Sequence, residues 1–158
     1  MIDKVRAELF KNAVLFTVGF FGYMAIEICF RGYTYTSMGL CGGIAIILLD
    51  KVNSRISWDV DFLLQGAIGG VLITIMEFII GELYKSLSLE PMWDYSNIPF
   101  NIDGVICLPF TLAWVMLSMV AIILADFINY YIFNEKPIPY YKIFGKTVFK
   151  FKNKDNFH

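Results

Sequence analysis

The feature that most constrains this chain is the apolar run from Asn12 to Phe30, in which Glu27 is the single formal charge. As an α-helix it reaches roughly 28 Å, close to the hydrocarbon thickness of a bilayer. Three more runs follow. Tyr35 to about Leu49 is short and glycine-rich, and spans only if residues around Asp50 and Lys51 extend it; a re-entrant element is the alternative. Phe62 to about Tyr84 carries Glu77 and Glu82, and Val105 to about Phe133 carries Pro109, expected to kink it, and Asp126. A soluble domain of 158 residues could not shield this much apolar surface, since 58% of the residues are hydrophobic and mean hydropathy is +0.62. The charged start, Met1 to Lys11, leads into the first run as in a signal peptide. No small-residue cleavage pattern follows, so the run is expected to stay as a helix.

The expected fold is an all-α polytopic membrane protein. Residues 1–133 form a four-helix transmembrane bundle (helices about 12–30, 35–51, 62–84 and 105–133) with a structured outer loop, and 134–158 form a basic aromatic cytoplasmic tail. Orientation follows the positive-inside rule. With both termini inside, Lys4, Arg6, Lys11, Lys51, Arg55, Lys136, Lys142, Lys146, Lys150, Lys152 and Lys154 share the inner side, leaving Arg31 and Lys85 outside. An odd number of crossings would split the two basic ends, so the second run is taken as spanning. In the tail, lysines alternate with Tyr140, Tyr141, Ile143, Phe144, Val148, Phe149 and Phe151, a composition suited to anionic inner-leaflet lipid. No nucleic-acid module is present and net charge is −1.

Candidate chemistry is sparse. Gly39 and Gly43, and Gly66 and Gly70, each place two glycines on one helical face, for intramolecular packing or for a seam in a homo-oligomer. Glu27 has Arg31 one turn on, so an i,i+4 ion pair explains it as well as a site does. Glu77 has no basic residue within a turn of its own helix and needs Arg31, a bound cation or a proton. Both glutamates fall in the outer halves of parallel helices. In the outer loop, Trp93, Asp94, Tyr95 and Asn101 form either an interfacial cap or a lid over that region. Cys29, Cys41 and Cys107 lack metal or redox spacing, and HExxH, GxSxG and Walker A patterns are missing. No cofactor, metal site or catalytic residue is therefore expected, and an enzyme is the less favoured class.

The string Trp93-Asp94-Tyr95-Ser96, with Pro99, Asn101, Gly104, Ile106-Cys107-Leu108-Pro109-Phe110 and Trp114, resembles the bacterial membrane family known as Putative ABC-transporter type IV, or CmpB-like, permeases. Arg31-Gly32-Tyr33-Thr34, Ser37-Met38, Gly42-Gly43 and Glu77-Phe78-x-x-Gly81 are also similar to it. The resemblance implies a multi-pass subunit of the bacterial inner membrane that works with lipid and a separate ATPase, since this chain carries none. The leading expectation is a permease-like subunit with a polar site in the outer part of the bundle. A structural or holin-like assembly protein is the alternative, and an intramembrane enzyme on lipid-linked substrates comes third.

Overall fold

The computed structural model describes residues 2–154. The last four residues of the expected tail, His158 among them, lie outside the described part. Four helices carry the chain: α1 (Ile2–Arg31), α2 (Thr36–Asn53), α3 (Phe62–Ser86) and α4 (Leu108–Phe127), the last continued by a π-helical turn, Ile128–Ile132. All four are long and apolar enough to cross a membrane. They also expose large apolar side chains, such as Phe21, Phe30, Ile79, Leu112 and Met116, which in water would be an unusually large apolar surface. Two ribbons complete the fold: β1 (Asn101–Ile102) pairs antiparallel with β2 (Ile106–Cys107), and β3 (Tyr140–Ile143) with β4 (Lys146–Lys150).

The helix boundaries depart from the apolar runs for physical reasons. α1 begins near the N-terminus because its charged first turns are paired: Lys11 bonds Glu135 at 2.9 Å, and Lys51 bonds Glu8. It ends at Gly32, whose φ of +81° permits the left-handed cap and whose N–H donates to Ile28 O at 2.9 Å. α4 starts at Leu108 because Ile106 and Cys107 are held in the β1–β2 ribbon. Pro109 therefore sits in the first turn, where its missing N–H costs nothing and the expected kink does not arise.

The chain divides into two units, Met1–Phe62 with Ala121–His158, and Leu63–Val120. In the first, α1 and α2 pack closely at glycines. A Cβ on Gly43 would lie 2.6 Å from the Phe16 ring, and one on Gly39 2.8 Å from Phe20. The core of this unit gathers Leu15, Ile46, Ala125 and Ile128. The tail contributes to the same unit, which its composition did not suggest. Phe144 and Gly145, both at positive φ, turn β3 into β4. That turn buries Tyr141 completely, against Phe62 at 4.6 Å. Asp59 anchors the hairpin from outside, accepting from Lys142 Nζ at 2.5 Å and Tyr140 Oη at 3.0 Å. These bonds, chiefly the one from the ammonium, hold its carboxyl below the usual range.

In the second unit, α3 meets α4 along Gly66, Gly70 and Thr74. A Cβ on Gly70 would come 2.8 Å from the Val115 backbone nitrogen, and Thr74 Oγ1 lies 3.2 Å from Thr111 Oγ1. Small residues here allow backbone contact in a solvent that supplies no hydrophobic drive between helices.

Candidate functional site

The second unit holds a buried carboxylate with only neutral partners. Glu77, on α3 and 7% exposed, accepts from Tyr95 Oη on Oε1 at 2.8 Å and from Trp114 Nε1 on Oε2 at 3.0 Å. Among the described residues, no lysine or arginine pairs with it. Phe110 stacks on Tyr95, ring centroids 4.6 Å apart and planes 15° from parallel, which holds the phenol in place. Each oxygen thus has one donor in a buried setting, where such bonds gain strength and an unpaired charge is costly.

The loop that delivers Tyr95 is rigid by its own bonding. Asp94 Oδ1 accepts from Ser96 N at 2.8 Å and Ser96 Oγ at 2.5 Å, which lowers its carboxyl below the ordinary value. Tyr95 N donates to Gly104 O at 2.8 Å, and Trp93 Nε1 to Val105 O at 2.7 Å. Asn101 spends its amide within the loop: Nδ2 donates to Ile98 O at 2.8 Å, and Oδ1 accepts from Gly104 N at 3.1 Å. Gly104 has φ of +65°, and a Cβ there would collide with the Ser96 hydroxyl. A cavity of about 140 Å³ lies at the end of α3, lined by Tyr84, Lys85, Met92, Trp93 and Asp94 among others; Glu77 does not line it.

Of the sequence candidates, Glu77 and Tyr95 touch, while Trp93, Asp94 and Asn101 shape the loop that places Tyr95. Glu27 and Arg31 belong to the first unit. There Arg31 Nη2 donates to Glu27 at 2.9 Å, Thr34 Oγ1 donates to the same oxygen at 2.7 Å, and the guanidinium lies 4.7 Å from the Tyr33 ring centroid. Trp114 and Phe110 are the site residues that sequence reasoning left out. Their i,i+4 spacing puts both on one face of α4, and a buried indole N–H calls for an acceptor.

Apolar helices with lipid-suited surfaces, enclosing a carboxylate held by neutral donors, define a small polytopic helical membrane protein. Within that class, the chain belongs to the family described as Putative ABC-transporter type IV, which matches residues 13–152. No curated protein and no solved structure matches it.

Proposed function

We propose that this protein is a permease-like subunit of a bacterial inner membrane transport system, with a polar site at Glu77, and that it works with a separate ATPase. The observation that carries the reading is the buried Glu77 carboxylate, held by Tyr95 and Trp114 beneath a self-bonded loop. A carboxylate at membrane depth is costly, and a protein that only needed helix packing would place an apolar side chain there. Family membership supports the ATPase partner. Purification of the full chain in mild detergent should retain an ATPase subunit detectable by mass spectrometry. Recovery of only lipid and copies of this chain, under conditions that keep it folded, would favour the structural reading over the transport one.

In this reading both termini are cytoplasmic, and the hairpin meets the inner leaflet. Phe144 is exposed at its tip beside Lys142 and Lys146, and each near-surface lysine contributes about 1 kcal/mol toward anionic lipid. Single cysteines test the orientation after Cys29, Cys41 and Cys107 are replaced. Those at Lys4 and Lys154 should resist an impermeant thiol reagent in intact cells, while one at Ser88 should react. External labelling of either terminal position reverses the orientation.

A further inference from the structure

The first unit contains a polar constellation that the transport reading does not use. α2 carries Asp50-x-x-Asn53, and the end of α4 carries Asp126-x-x-Asn129. The two motifs clasp reciprocally: Asn129 Nδ2 donates to Asp50 Oδ1 at 2.6 Å, and Asn53 Nδ2 reaches Asp126 Oδ2 at 3.5 Å. All four side chains are at least nine-tenths buried. Asn129 lies in the π-helical turn, a wider winding that often marks functional positions in helices.

Two properties of the clasp remain unbalanced. The carbonyl oxygens of Asn53 and Asn129 are buried and have no hydrogen-bond partner. Each orphan oxygen shares its amide carbon with a nitrogen that donates to a carboxylate of the clasp, Asn53 to Asp126 and Asn129 to Asp50. A buried orphan oxygen is free to accept from a water or to ligate an ion. Charge is unbalanced too. Lys11 Nζ serves Glu135 at 2.9 Å, Glu8 at 3.6 Å and Asp50 at 3.8 Å. Asp126 receives only neutral donors, Tyr141 Oη at 2.7 Å and the Asn53 amide. Among the described residues, no lysine or arginine pairs with it.

We propose that the crossed Asp-x-x-Asn clasp binds a small monovalent cation of the Na⁺ class, held by the Asp126 carboxylate and the free carbonyl oxygens of Asn53 and Asn129. Carboxylate and amide oxygens suit hard cations and leave soft transition metals without a thiolate or imidazole. The nearby Lys11 ammonium already neutralises part of the cluster and repels a divalent ion. When ionised, Asp126 has only neutral donors, and a single positive charge balances it. Tyr141 from the hairpin closes the constellation, so ion occupancy and docking of the tail share one carboxylate.

The full-length protein in detergent is titrated with NaCl against choline chloride at constant ionic strength, reading thermal unfolding and ²²Na⁺ retention. Saturable retention and a rise in unfolding temperature specific to Na⁺ are expected. Asp126→Asn should weaken the apparent Na⁺ affinity roughly 10–100-fold, at least the loss seen when supporting groups of an ion site are removed. Should that variant fail to fold, Asn53→Ala, which deletes one proposed ligand and leaves both carboxylates, should also weaken retention. Equal effects of Na⁺ and choline, a larger stabilisation by Mg²⁺ or Ca²⁺, or undiminished Na⁺ retention in a folded variant would each overturn the assignment. The measurement involves no ATPase, so its outcome is independent of the function proposed for Glu77.

Discussion

Tyr141→Ala is expected to destabilise the first unit by about 3–5 kcal/mol, the usual cost of deleting a large buried ring. The ring is wholly inaccessible, packs on Phe62, and its hydroxyl donates to Asp126 at 2.7 Å. Burial and the adjacent Asp126 carboxylate both raise the phenol's pKa, desolvation most, so the hydroxyl stays a donor across the physiological range. Tyr141→Phe separates the two contributions: it keeps the ring and removes the donor, leaving a buried carboxylate short of a bond at a cost of roughly 1–3 kcal/mol. Phe144→Ser, at a tip residue 84% exposed, should stay within about 0.5 kcal/mol of the parent. Denaturant titration in mild detergent, followed by tryptophan fluorescence, ranks the three. If Tyr141→Ala and Phe144→Ser gave the same midpoint, the tail would be a surface appendage, as its composition suggests, and the hairpin would not belong to the core.

The second large effect is a separation of folding from function at Glu77. Glu77→Gln should keep the fold within about 1 kcal/mol, because the site can rearrange its hydrogen bonds around an amide. Trp114 only donates, so the new carbonyl must face its indole; the new NH₂ then faces Tyr95 Oη, and a hydroxyl can accept as well as donate. Trp114→Phe has no such adjustment. It leaves Oε2 buried without its donor, and the expected loss is about 1–3 kcal/mol of stability. Activity should follow the opposite order. If the charge of Glu77 serves transport, Gln abolishes turnover of the co-purified ATPase complex while insertion and oligomer size are retained. A fully active Glu77→Gln protein would reduce the carboxylate to a packing element and remove the proposed site.

The sequence determined the number and placement of the helices because a lipid-embedded segment must satisfy its backbone hydrogen bonds within itself. That requirement acts locally, so Phe62 could be read as the start of α3 and Gly43 as a packing position. Boundaries set by distant partners were less legible. The charged start of α1 is helical because Lys11 finds Glu135, and α4 waits for the β1–β2 ribbon to release the chain at Leu108. Glu77 declared itself as a polar group in need of a partner, since burying a carboxylate is costly wherever it occurs. Only the tertiary structure decided that the partners are Tyr95 and Trp114, brought from other segments. The two Asp-x-x-Asn motifs stand in plain view in the sequence, yet their reciprocal bonding depends on how α2 meets the end of α4. Helical periodicity fixes which side chains share a face; packing between faces fixes which of them meet.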